Sequence, residues 1–213
     1  HAGTSSWLHL NHLQLGGHTA DAVARLDGGY GLLAEDATFY DYQTIGNVYH
    51  SKTPGGVGAW IDAINAPAGN GASEPMVTVR FCQFDEGATR GININGYKFT
   101  SEQNRFNVNN AGYGIYLTNV PDARSVQDHF GYTAADRPAI KMINSKARVE
   151  GMTIDGGVTR IEVDATSVLD IVNSPGVVVD AAAGRHASVV AHDMHAAERI
   201  ASRLRRAFDA FRQ

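Results

Sequence analysis

Residues 79–107 read VRFCQFDEGATRGININGYKFTSEQNRFN. Val79 is followed two positions on by Phe81 and then, after a polar pair, by Phe84 and a closing Asp85. The same phrase ends at Leu13 in LHLNHLQ, Phe39 in AEDATFYD, Phe106 in SEQNRFN, Phe130 in SVQDHFG, Ile154 in VEGMTID and Val177 in NSPGVVV. Taken in chain order with Phe84, these anchors are separated by 26, 45, 22, 24, 24 and 23 residues, and 45 is close to two periods. A repeat of 20–50 residues is the signature of stacked-repeat architecture, because no single unit can bury its own apolar face.

Between the anchors lies a second phrase with strict alternation: Ala24/Leu26, Ile61/Ala63, Ile92/Ile94, Ile115/Leu117, Ile140/Met142 and Ile161/Val163. Period two marks a half-buried strand. Asn65, Asn95, Asn119 and Asn144 close four of these strands. Asparagine accepts the left-handed turn conformation, and stacked amides hydrogen-bond one another, so a column of them at equivalent corners would stabilise the stack. The alternation predicts an all-β chain: a β-solenoid of about seven rungs, each of roughly 23 residues, with the ININ rung displaced by one residue. An antiparallel sandwich also uses short strands, but it does not predict the anchor period.

The phrases VRFCQFDEG and IVNSPGVVV, with the rung spacing over residues 7–180, resemble the right-handed parallel β-helix (pectate-lyase-like) proteins, and among them the bacteriophage tailspikes. That resemblance implies an extracellular protein of the virion tail, a homotrimer, that recognises bacterial surface polysaccharide. The group also contains glycoside hydrolases, lyases and plain fibre shafts, so architecture alone does not choose among them.

Composition narrows the partners. The 213 residues include 18 basic and 22 acidic side chains, for a net charge of -4. There is no general electrostatic reason to bind nucleic acid or an anionic membrane. No stretch approaches the ~18 apolar residues of a membrane span. Twenty-three glycines are an excess suited to frequent corners. Cys82, the single cysteine, sits between aromatic residues and reads as a small buried hydrophobe. The chain opens His-Ala-Gly without Met or a signal-like segment and reads as a fragment.

Two insertions break the rung spacing around one pair of rungs. YDYQTIGNVYHSKTPGG, residues 40–56, carries Tyr40, Tyr42, Tyr49 and His50, with Trp60 opening the next strand; APAGNGASEP follows Asn65. Rings with a polar tip suit either a packed loop or a saccharide platform. After Gly184 the composition shifts, which divides the chain into a β-helix domain, 1–184, and an amphipathic helix, 185–213. Met194, Ala197, Ala201, Leu204, Phe208 and Phe211 alternate at spacings of 3 and 4, as in a heptad seam that joins chains or caps the solenoid.

Within the alternating strands the intervening residues Arg25, Asp62, Asn93, Tyr116, Lys141 and Glu162 point outward. They form a polar column suited to a linear polymer, with Asn93 and Tyr116 as ligand contacts beside the aromatic loop. If the chain is a hydrolase it needs two carboxyl groups roughly 5–9.5 Å apart, and Asp62, Asp85 and Glu86 are the candidates nearest the insertions. A lyase would place a basic side chain such as Arg80, Arg90 or Lys98 near a uronate. His9 with His12, and His192 with His195, supply only two ligands each, so neither a metal nor any other cofactor is expected. The GGYG and GYG runs lack the strand-to-helix context of a phosphate loop and read as turns.

Overall fold

The computed structural model describes residues 7–17, 22–41, 44–45, 48–49, 57–69, 74–85, 88–108, 113–133, 138–154, 159–181 and 188–191. The chain winds as a parallel β-solenoid with three sheets. Sheet I stacks β1 (Trp7–Asn11), β4 (Gly31–Glu35), β9 (Met76–Arg80), β12 (Lys98–Glu102), β15 (Ala123–Val126), β18 (Lys146–Glu150), β21 (Val168–Val172) and β23 (Ser188–Ala191). Sheet II stacks β2 (Gln14–Gly17), β5 (Thr38–Asp41), β10 (Gln83–Asp85), β13 (Arg105–Val108), β16 (His129–Thr133) and β19 (Thr153–Ile154). Sheet III stacks β3 (Ala22–Asp27), β8 (Val57–Ile64), β11 (Ala88–Asn95), β14 (Tyr113–Thr118), β17 (Ile140–Ile143), β20 (Thr159–Val163) and β22 (Val177–Ala181). Within the first insertion, β6 (Thr44–Ile45) and β7 (Val48–Tyr49) form a small antiparallel hairpin.

Every pairing in the three sheets is parallel, which excludes the antiparallel sandwich. Instead of seven equal rungs, the regular part comprises about four turns, over residues 76–163, in which one strand of each sheet follows the next without a long insertion. Strands before and after this part extend the same sheets. Ser188–Ala191 continues sheet I beyond residue 184 by pairing with β21. The expected helical seam from Met194 to Phe211 lies outside the described residues.

The interior follows from alternation. Ile61, Ile92, Ile115, Ile140 and Ile161 occupy one register column of sheet III, and all are buried. The ININ rung is in register with both neighbours, so no one-residue displacement exists. In sheet II Phe39, Phe84, Phe106, Phe130 and Ile154 share a column. The Phe84, Phe106 and Phe130 rings stack at 4.9 and 4.7 Å between centroids. Each such ring contributes roughly 1.5–3 kcal/mol by burial.

Three anchors differ from the sequence reading. Leu15 pairs with Phe39, whereas Leu13 is exposed. Val177 belongs to sheet III, where it pairs with Thr159. Phe81 is 48% exposed because its backbone turns there.

Two of the three corners turn on left-handed residues. Between sheets I and II these are His12, Asp36, Phe81, Gln103, Gln127 and Gly151, with Asn173 turning after β21, whose next strand is β22 of sheet III; between sheets III and I they are Gly28, Asn65, Gly96, Asn119 and Asn144. One left-handed residue reverses the facing of the strand, so the next residue enters the interior and its N–H must find an acceptor there. Side chains of the following rung provide it. Cys82 N–H donates to Asn104 Oδ1 at 2.8 Å, Asn104 N–H to Asp128 Oδ1 at 2.9 Å, and Met152 N–H to Ser174 Oγ at 3.1 Å. At the other corner Val120 N–H donates to Ser145 Oγ at 3.1 Å and Ser145 N–H to Ser167 Oγ at 3.0 Å.

The asparagine column forms in part. Asn144 donates to Asn119 Oδ1 at 2.8 Å and Asn119 to Asn95 Oδ1 at 3.4 Å. Asn95 itself is a strand residue paired with Thr118, and Gly96 takes the left-handed position. Asn65 turns its corner but donates to Asp27 Oδ1 at 2.8 Å.

Candidate functional site

The residues of sheet III that alternate with the buried ones form one continuous column, in which Asn93, expected as a ligand contact, is itself buried. Arg25, Asp62, Asn93, Tyr116, Lys141, Glu162 and Asp180 pair in that order across seven strands. With strands about 4.8 Å apart, the column runs about 29 Å along the solenoid.

Its charges are locally balanced. Asp62 accepts a hydrogen bond from Asn93 Nδ2 at 2.6 Å and lies 3.9 Å from Arg25 Nε. Arg25 also reaches Asp27 at 3.5 Å. Lys141 Nζ pairs with Glu162 at 3.1 Å, lies 5.1 Å from the centre of the Tyr113 ring and donates to its hydroxyl at 3.4 Å. Burial pulls the Lys141 pKa down, but the bonds to Glu162 and Tyr113 outweigh it and hold the ammonium above its ordinary value. Arg160 pairs with Asp180.

The Tyr113 and Tyr116 rings lie 5.3 Å apart, tilted by 58°. A pocket of about 500 Å³ opens at the C-terminal end of the column, lined by Lys141, Arg160, Glu162, Asp164 and Asp180 among others. Asp164 is a turn-former. Burial raises its pKa, but the Ser167 and Thr166 hydroxyls and the Asn144 and Thr166 amides outweigh that and hold it below the usual value.

The other expected residues are dispersed. Asp85 closes β10 in sheet II, in register with Tyr40 and Asn107, so Asp62 and Asp85 stand on different sheets. Glu86, Tyr42 and His50 lie outside the described residues. Trp60 is fully buried in the hydrophobic cluster, so its ring is a packing element and not an open platform. Among the described residues its indole N–H has no hydrogen-bond partner.

Cys82 is buried as expected, and burial pushes its thiol up to about 11. His9 is exposed, and His12 pairs with Asp36 at 3.0 Å. Among the described residues no three His, Cys, Asp or Glu side chains cluster as metal ligands. His192 and His195 are outside them.

Sequence reasoning missed Tyr113, Arg160 and Asp180. Asp180 was hidden because Val177 was aligned with the sheet II anchors. Placing Val179 beside Ile161, as the register does, brings Asp180 into the column.

These features define a parallel β-solenoid with a self-paired polar face. No protein-family model, no curated protein and no solved structure matches the chain.

Proposed function

We propose that this chain is a saccharide-recognition solenoid of the tailspike kind, a right-handed β-helix that contacts bacterial surface polysaccharide from the virion tail, outside the cell. The observation that supports this reading is the in-register outer column of sheet III. It offers donors (Lys141, Arg160), acceptors (Asp62, Glu162) and the Tyr113–Tyr116 rings on a rigid face. A sugar presents an apolar ring face and a rim of hydroxyls, and pre-positioned rings and polar groups complement both at little ordering cost. Because each cation on the column has its own carboxylate, the face suits a neutral or mixed glycan. Three chains would associate through the seam of Met194, Ala197, Ala201, Leu204, Phe208 and Phe211.

The test is binding to a panel of purified capsular polysaccharides and O-antigens, with reducing-end release measured in parallel. We expect saturable binding that Tyr116→Ala and Lys141→Ala each weaken about tenfold, with no turnover. Turnover abolished by Asp62→Asn would make the protein a depolymerase instead. Failure to bind any glycan in the panel would leave a structural shaft.

A further inference from the structure

The corner between sheets III and I is turned in two ways. On three rungs the left-handed residue is an asparagine, Asn65, Asn119 or Asn144, followed by Ala66, Val120 or Ser145. Two rungs use glycine instead, Gly28 after Asp27 and Gly96 after Asn95. At Gly96 the backbone needs glycine for its φ of 82°, and a Cβ there would also come within 3.2 Å of Ala66 Cβ. The asparagine column and the glycine turn therefore meet in Asn95–Gly96, the only Asn–Gly step among the described residues.

Such a step is chemically labile. The glycine backbone nitrogen, with no side chain crowding its approach, attacks the asparagine Cγ. The new N–C bond closes a cyclic imide, the amide proton passes to solvent, and the side-chain nitrogen leaves as ammonia. Water then opens one of the two imide carbonyls, giving either aspartate or an isoaspartyl residue whose main chain runs through Cβ and is one methylene longer.

The fold restrains both reacting groups. Asn95 pairs with Thr118 at the end of β11, and the Gly96 N–H donates to Thr118 O at 3.0 Å. The nitrogen that must lose its proton and swing onto Cγ is thus tied into the next rung. The side chain stands at the end of a directed ladder: Asn144 Nδ2 donates to Asn119 Oδ1 at 2.8 Å, and Asn119 Nδ2 to Asn95 Oδ1 at 3.4 Å. Asn95 Nδ2 itself donates to no acceptor among the described residues. Loss of that nitrogen as ammonia removes no hydrogen bond, and a carboxylate keeps the oxygen that Asn119 needs.

We propose that Asn95–Gly96 is a self-modification site that folding holds shut. A chain that is unfolded or not yet stacked on the rung of Thr118 deamidates there, and a folded chain does not. Of the two products the stack readmits aspartate, which keeps the main chain and the acceptor. It rejects isoaspartate, whose added methylene breaks the register of Asn95 with Thr118. The corner thereby records how long a chain has spent unfolded, whatever its outer face binds.

The whole chain, incubated in mildly alkaline buffer with and without urea, tests this. Mass spectrometry of the tryptic peptide 91–98, GININGYK, follows Asn95 with Asn93 as the comparison inside the same peptide. In urea Asn95 should convert at least about tenfold faster than Asn93, and without urea at least about tenfold more slowly than in urea, because attack then waits for local opening. When the converted sample is refolded, aspartyl chains should return to the folded fraction and isoaspartyl chains should not. Asn95→Asp should melt with the parent. Equal rates with and without urea, conversion of Asn93 as fast as Asn95, isoaspartyl chains in the folded fraction in proportion to aspartyl ones, or a lowered melting point in Asn95→Asp would each overturn the proposal.

Discussion

Asp128 is fully buried one residue past a corner, among neutral partners. Its Oδ1 accepts from the Asn104 backbone and side-chain amides at 2.9 and 3.1 Å, and its Oδ2 accepts from Ser125 Oγ at 2.7 Å. Burial pushes its pKa up to about 6 from 3.8, against the lowering effect of these hydrogen bonds. The folded state therefore binds more protons than the unfolded one between about pH 4 and 6, so this group's contribution to stability is full below pH 3.8 and is lost as pH rises through 6. At about 1.4 kcal/mol per unit, the difference is about 3 kcal/mol. Asp128→Asn keeps the acceptor for Asn104 and removes the ionisation. Urea midpoints at pH 4 and pH 7 should differ less in the variant than in the parent; an equal difference in both would assign the pH dependence to another group.

Strands tell a different story at their glycines. Gly91 and Gly114 lie one residue before the buried isoleucines of sheet III, where a Cβ on Gly91 would come within 2.2 Å of the Gly114 carbonyl oxygen. One on Gly114 would meet the Phe130 ring at 2.5 Å. Gly176, at φ 85°, has nothing within 4 Å of the corresponding point. Gly91→Ala should thus fail to fold or lose more than about 3 kcal/mol, and Gly176→Ala only about 1 kcal/mol of backbone strain; thermal melts compare them directly.

These elements also show what was legible in the sequence. Sheet III was readable to the residue because inward and outward positions alternate, so six of its seven column members follow from counting by two. Corners were not readable, because one left-handed residue shifts the phase. That shift exposes Phe81 and puts Leu15 where Leu13 was expected. Trp60 looked like part of a surface platform because its neighbours in sequence are ring-rich, but its burial depends on packing that no local pattern reveals. The Asp128 network was invisible for the same reason: its partners Asn104 and Ser125 come from two different rungs.

For the whole molecule, stability is close to a sum over neighbouring rungs, since each contacts only those above and below. If the seam from Met194 to Phe211 joins three chains, the intact protein should scatter light as about three chains and a version ending at Ala191 as one. The cut belongs after Ala191 because Ser188–Ala191 still pairs with β21. A single-chain mass for both would remove the trimer.

The corner hydrogen bonds give this stack a polarity. In all five, the N–H belongs to one rung and the accepting side chain to the next one along the chain. During synthesis a rung's buried amides consequently stay bare until about 23 further residues have left the ribosome, so ordered structure trails elongation by one turn. Truncation is asymmetric as well: removing N-terminal rungs leaves acceptor side chains without their donors at the new end, whereas removing C-terminal rungs strands backbone donors inside it.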